Sequence, residues 1–525
     1  MSVDDLRRQL RDRGYLTHGI ERWFALDPWS SRAFWLELVT LALKAGTLIA
    51  AFAALPMAAV MVLRNHPLDA LETLGLYLSY AAVALVAAFV FIVVVALILK
   101  LRPALPIDTP RALLAISLAA GALLVAPIAV WWYRFDTDAT LPELAVGVAL
   151  CVIFFLVATL VVSAALLSFS IYELQRVPAI HQKPRGGPMA VAAAVLIALL
   201  FVPAYAERER TPPEPMVVTT PTTHRVALIA VDGLTHEILQ SRPRLLPHVT
   251  RIDPIAGDST TERWASLGTG VRTDVHGVRA IEGVRFKGGA HVLQRISRGD
   301  FVLMNIAPLL GVARREPLPP TVRRRDYIWE IFAERGVPSV AVNWWATADA
   351  REGGLDAIGP ESIFAAARGE ALRVDTLASA RFLGTVTRER PRFATVYLPA
   401  LDVILNRLDL DRTTQLATSL QALDGVARTV NAMRARGYDV VIVGMPGEGQ
   451  SGSAVIASTV ALPAKNAWSV APALLALLGF PASAEMPGAA TQSSIASYGP
   501  RNDAASAQTM NDEYYENLKS LGYIQ

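Results

Sequence analysis

Five apolar stretches before residue 206 constrain this chain more than any other feature: 38–63, 74–99, 113–133, 144–169 and 189–205. At about 1.5 Å of rise per residue the first four are long enough, as helices, to cross a hydrocarbon core of about 30 Å, and the fifth stands at the short end of that range. Composition agrees: 53% of the 525 residues are hydrophobic and 18% charged, where soluble domains run at about a quarter charged. A small water-soluble module is therefore excluded, and the length beyond the spans leaves room for a sizeable second domain. A net charge of +3 with no concentrated basic stripe gives no reason to expect nucleic acid. The single cysteine, Cys151, lies in an apolar run and rules out a disulfide framework or a cysteine metal site.

Loop charges set the orientation. Residues 1–32 carry Arg7, Arg8, Arg11, Arg13, Arg22 and Arg32, too long and too charged a segment for a signal peptide, and read as a cytoplasmic amphipathic N-terminus. The loop after the second stretch holds Lys100, Arg102 and Arg111, and the loop after the fourth holds Arg176, Lys183 and Arg185. The other two loops are acidic, with Asp69 and Glu72 in one and Asp136, Asp138 and Glu143 in the other. Positive-inside bias then places the N-terminus in the cytoplasm and everything beyond the fifth span outside, in a bacterial-type inner or plasma membrane. Glu37 and Lys44, seven residues apart on one face of the first span, read either as an ion pathway or as snorkelling side chains near the cytoplasmic end. The expected organisation is a five-span membrane domain over 33–206, a Pro/Thr-rich linker over 207–223 and an exported α/β domain over 224–525.

The exported part shows buried-type strands at 224–231, 339–343, 393–397 and 439–443, separated by helical patterns at 327–335, 371–382 and 413–436. Strands alternating with helices imply a mostly parallel sheet between helices, with chemistry beyond the carboxyl ends of the strands. Asp232, Asp402 and Met445-Pro446 all fall just past such ends.

The strand ending in Asp232, the run 260–270 opening Thr260-Thr261-Glu262-Arg263-Trp264, and the following His276-Gly277 are similar to the alkaline phosphatase superfamily. Within it the resemblance is to type I phosphodiesterases and nucleotide pyrophosphatases, a sulfatase-like fold. Ile328-Trp329-Glu330, Val342-Asn343-Trp344, Ser469-Val470-Ala471-Pro472 and the closing 518–524 extend the likeness over nearly all of 224–525. The resemblance implies two divalent ions that bind phosphate and activate a Thr or Ser nucleophile. Carried over by position, Asp232 matches the first metal ligand, Thr260 the nucleophile, and Asp402 with Asn406 an Asp-x-x-x-His pair whose His is missing. The late Asp-His-Gly motif falls on Met445-Pro446-Gly447, so both its ligands are absent, and no His occurs after His291.

Met and Pro do not hold a zinc ion in an oxygen and nitrogen site. The metal set left over, Asp232, Asp402 and Asn406, is incomplete, and Thr260 is a vestigial nucleophile. Ser259 and Glu262 around it also fit a helix capping box, which explains the local residues without chemistry. Glu448 is a substitute oxygen ligand at most. Trp344-Trp345 reads as core, and Arg323-Arg324-Arg325 as a solvated face or a phospholipid contact. The expected function is a pseudoenzyme: no cofactor, membrane lipids and other envelope membrane proteins as partners, and a binding or assembly role in the cell envelope. The alternative is an active hydrolase or phosphotransferase on envelope phosphoesters using zinc, magnesium or calcium, since five spans before such a domain look like the envelope phosphoethanolamine and glycerol phosphate transferases.

Overall fold

The computed structural model describes residues 33–65, 68–101, 110–133, 141–174, 187–203, 217–241, 245–257, 259–294, 300–489, 495–501 and 512–524. The N-terminal segment, the loops 102–109, 134–140 and 175–186, most of the linker and the Glu37 side chain lie outside the described residues. The chain divides into two compact units, Met1–Glu209 with Val284–Arg314, and Arg210–Gly283 with Arg315–Gln525.

The first unit is built on helices α1 (Ala33–Arg64), α2 (Ala70–Leu101), α3 (Pro110–Tyr133), α4 (Leu141–Leu174) and α5 (Gly187–Leu199). The first four are long and apolar enough to cross a membrane. The fifth stretch is helical over only 13 residues, about 20 Å, before the chain turns at Leu200. α1 is the most enclosed of the four. Its Ala42, Ala45, Ala54 and Ala58 are buried, small side chains that let neighbouring helices approach closely. Arg64 closes α1 against Glu143 in the first turn of α4, with Nε 3.2 Å from the carboxylate.

The second unit is an α/β domain. In chain order the strands are β1 (Val226–Asp232), β2 (His248–Ile252), β3 (Glu282–Phe286), β4 (Leu293–Gln294), β5 (Ala313–Pro317), β6 (Ser339–Val342), β7 (Ala350–Glu352), β8 (Leu355–Ile358), β9 (Phe393–Leu398), β10 (Asp439–Met445) and β11 (Ala454–Ser458), of which β4 and most of β3 fall in the insert grouped with the first unit. Eight of them form one sheet in the order β2-β11-β10-β1-β9-β6-β8-β7. The five from β10 to β8 run parallel, and the antiparallel pairings are confined to the two flanks. β3, β4 and β5 make a separate three-stranded sheet at the ends of the 284–314 insert. β1 is apolar along its length and buried at every residue, as a parallel strand covered on both faces must be. The helices relevant here are α6 (Thr260–Thr269), α7 (Ala371–Glu389), α8 (Arg412–Ala435) and α9 (Asp512–Ser520).

β1 lies between β9 and β10. The segments that leave those three strands at their carboxyl ends are therefore brought together, and they carry Asp232, Asp402 and Met445-Pro446-Gly447. Beneath them sits an aromatic cluster. Trp264 meets Tyr397 edge-on at 5.4 Å between centroids, and Trp344 edge-on at 6.0 Å. Such pairs contribute about 0.5–1.5 kcal/mol each beyond their buried area and fix the floor under the strand ends. Trp344 and Trp345 are core residues, as the sequence suggested. The arginine run is not a solvated face throughout: Arg323 is buried, forks onto both oxygens of Glu330, and lies 3.9 Å over the Tyr327 ring. A guanidinium whose donors and face are all occupied can be taken out of water, which the sequence run alone did not reveal.

Candidate functional site

α6 starts where the motif placed its nucleophile. Ser259 is the N-cap, extended at φ −133°, and its Oγ accepts the Glu262 amide at 3.1 Å. That cap fixes Thr260 as the first helical residue. Glu262 is buried and its carboxylate accepts the Thr273 hydroxyl at 2.8 Å. Arg263, one turn after Thr260 and so on the same face, turns its guanidinium to the Pro446 carbonyl and to Thr260 Oγ1, the latter at 3.5 Å.

Asp402 and Thr260 are joined by a residue that motif reasoning missed. Arg407 donates from Nε to Asp402 Oδ2 at 2.7 Å and from Nη2 to Thr260 Oγ1 at 3.0 Å. Its guanidinium stacks 4.1 Å over Tyr523, and Nη1 reaches the Gly522 carbonyl at 3.2 Å. The other Asp402 oxygen accepts Asn406 Nδ2 at 2.9 Å. Glu448 adds a longer ion pair to Arg407 at 3.6 Å, so the carboxylate considered as a spare ligand faces a cation instead. Burial works against the charge on Arg407, and Tyr523, Asp402 and Asp232 outweigh it, so the guanidinium stays protonated.

Asp232 completes the group. Its Oδ2 accepts the Tyr397 hydroxyl at 2.8 Å and its Oδ1 the Gly233 amide at 3.2 Å, while Gly233 packs against the Asp402 backbone. Burial first, and then the negative charge of Asp402, push the Asp232 carboxyl well above the usual carboxylate range; Arg263 pulls in the other direction. Asp375 on α7 accepts the Ala400 amide at 3.0 Å, and burial drives its carboxyl up to about 8. Asp232, Thr260 and Asp402 are each fully buried. A cleft in the same unit, lined by residues including Thr261, Ile281, Leu318, Trp345 and Tyr514, includes none of them.

The structure thus brings Asp232, Thr260, Asp402 and Asn406 to one place and adds Arg407, Arg263, Tyr397 and Asp375. The one available signal for Arg407 was its position, directly after Asn406, to which the resemblance assigns the missing His. Among the described residues, one group of three His or carboxylate side chains has its ligand atoms within 4.8 Å, and it lies elsewhere: Asp69, Glu72 and His291. There Glu72 accepts the His291 amide at 2.6 Å, His291 Nδ1 at 2.9 Å and the Asp69 amide at 2.9 Å, the last closing the first turn of α2. Those bonds account for the cluster.

A parallel sheet with an Asp at the end of its central strand, and a capped helix presenting Thr beside it, is the alkaline-phosphatase-like arrangement. Residues 226–447 match the family model of type I phosphodiesterases and nucleotide pyrophosphatases, a group of the alkaline phosphatase superfamily. The chain is similar to two solved structures of phosphonoacetate hydrolase from Sinorhizobium meliloti 1021. The one in complex with phosphonoformate has 13% identity and a TM-score of 0.30, and the one with phosphonoacetate 12% and 0.28. Each covers 44% of this chain, which spans 60% of theirs. No curated protein matches.

The family typically depends on divalent metal, and the residues present do not fit such an ion. The space between Thr260 and Asp402 is taken by the Arg407 guanidinium. The loop that replaces the Asp-His-Gly motif closes directly on the same residues. A Cβ at Gly447 would lie 1.8 Å from Asp402 Oδ1 and 2.2 Å from Asn406 Nδ2. At about 4 Å two unit charges interact by roughly 4 kcal/mol at an effective dielectric near 20, and a divalent ion doubles the repulsion from Arg407.

Proposed function

We propose that this protein is a membrane-anchored pseudoenzyme, a phosphodiesterase-fold domain that does not turn over phosphoesters and serves as a binding or assembly component of the cell envelope. The observation that carries the reading is Arg407, a fixed cation bonded to both Thr260 and Asp402. A hydroxyl that accepts from a guanidinium, with no His bonded to it among the described residues, has no base placed to take its proton. Asp232, whose carboxyl is pushed up by burial and by Asp402, gives up its proton to a metal less readily for the same reason. The reading is tested on purified full-length protein by metal analysis and by assay of phosphodiester and phosphomonoester substrates with magnesium, manganese, zinc or calcium. We expect far less than one tightly bound metal per chain and no turnover above background, with Thr260→Ala and Asp232→Ala unchanged from the parent. Metal-dependent turnover that disappears in Thr260→Ala would promote the alternative, a hydrolase or phosphotransferase acting on envelope lipids or glycans.

The same reading puts the α/β domain outside the cytoplasm. Within the anchor unit, Asn65 at the end of α1 exchanges two hydrogen bonds with the Gln294 backbone, at 3.2 and 2.6 Å. The 284–314 insert and the α1–α2 connection therefore share one side of the anchor. Loop charges assign that connection to the outer side, which supports an odd number of crossings and gives the short α5 the role of the fifth. A topology reporter fused after Glu207 is expected to be active outside the cytoplasm, and one fused within 100–111 inside; the reverse pattern would overturn this arrangement.

A further inference from the structure

The insert 284–314 leaves the α/β domain and packs within the anchor unit. It descends along α2 through three successive contacts. His291 meets Glu72; the Phe286 ring fills the place of a side chain at Gly75, where a Cβ would come within 2.8 Å; and Asp300 takes the Tyr80 hydroxyl on both oxygens, at 3.0 and 2.9 Å. From Glu72 to Tyr80 is about 12 Å along the helix. α2 has 32 residues, so it is about 48 Å long and overhangs a hydrocarbon core of about 30 Å by roughly 9 Å at each end when centred. Tyr80 lies about 15 Å from the start of α2. The Asp300 end of the insert thus reaches the level of the headgroups and the first acyl carbons.

The helical segment 301–309 divides its side chains in a way water would not favour. Leu303, Met304 and Ala307 join the buried core of α1 and α2. On the other side Phe301 is 62% exposed, Leu309 81%, Leu310 56% and Val312 42%. Four large apolar side chains exposed within twelve residues form a patch rather than isolated surface hydrophobes. Beside it, α2 exposes Leu71, Leu74 and Leu78, a stripe at helical spacing that runs from headgroup level to the first acyl carbons; Gly288 of the insert packs against Leu71. The patch continues that surface. Exposed Lys287, whose Nζ lies by the turn at Gly311, and exposed Arg314 supply cations at its polar margin. Apolar side chains with a basic edge suit the acyl–headgroup boundary of a bilayer containing anionic lipid.

We propose that residues 301–312 are an interfacial wedge, seated with Phe301, Leu309 and Leu310 among the acyl chains of the leaflet that faces the α/β domain. The wedge tethers the domain to lipid by a second route besides the linker. It rests on the spanning anchor and not on whether Thr260 is catalytic. Because Leu309 and Leu310 point away from the core, a label there leaves the packing intact. Full-length protein with Cys151 replaced by Ser and Leu309→Cys carrying an environment-sensitive fluorophore is reconstituted in phosphatidylcholine vesicles with about 30% phosphatidylglycerol. We expect blue-shifted emission, at least about twofold quenching by lipids brominated near the glycerol end of their chains, and little quenching by aqueous iodide. Leu310→Cys should behave alike. Strong iodide quenching would show the patch in water, and resistance to both quenchers would show a protein neighbour over it; either result overturns the proposal.

Discussion

Arg407→Ala is expected to destabilise the α/β domain by about 3–5 kcal/mol, the usual cost of removing one partner from a buried ion pair. The side chain is 7% exposed and Asp402 is fully buried, so solvent screening gives little relief. Removing the guanidinium leaves the Asp402 carboxylate bonded to the Asn406 amide and close to Asp232. Arg407→Lys should recover little. An ammonium cannot bond Asp402 and Thr260 from two edges of one plane while lying flat on Tyr523. Adding Asp402→Asn to Arg407→Ala should restore part of the loss, because the uncompensated charge goes with it. Denaturant unfolding of the full chain in detergent, followed by tryptophan fluorescence, measures all three. A change under about 0.5 kcal/mol for Arg407→Ala would mean that the ion pair does not organise the site.

Gly447→Ala should be comparably severe, costing about 3 kcal/mol or more through overpacking. The new methyl would meet Asp402 Oδ1 at 1.8 Å and Asn406 Nδ2 at 2.2 Å, and neither can retreat, because Asp402 is held by Arg407 and Asn406 by Asp402. Gly449, two residues on, separates this from a general intolerance of the loop. Its φ is +77°, but a Cβ there meets nothing within 4 Å. Gly449→Ala should therefore cost only the left-handed backbone preference, about 1–2 kcal/mol. Equal losses at both positions in the same unfolding experiment would show that the loop does not close on Asp402.

The parts of this architecture that were legible in the sequence are those where one physical demand dominates. β1, β9 and β10 are buried on both faces, and their continuous apolar runs announced a parallel sheet with Asp232 and Asp402 at its carboxyl ends. The four long spans were equally plain. β2 was missed because it is a flank strand whose residues are mostly exposed, and β7 and β8 because three or four residues carry no period. The positions of Asp232, Asp402 and Asn406 were read by matching motifs along the chain, and the structure brings them together with Thr260. Arg407 was not read in this way, because nothing local distinguishes an arginine that enters a site from one that faces water; its partner Thr260 is 147 residues away. The same blindness, acting at Arg323, turned a buried side chain into an expected surface one.

An ion held by side chains exchanges with its surroundings, whereas the Arg407 guanidinium is covalently part of the chain. Under the proposed reading, a domain organised around it keeps its shape when divalent cations are chelated, whereas one that needs bound metal to hold its strand ends does not. Arg407 thus ties the strand ends together through a group that cannot dissociate from the chain.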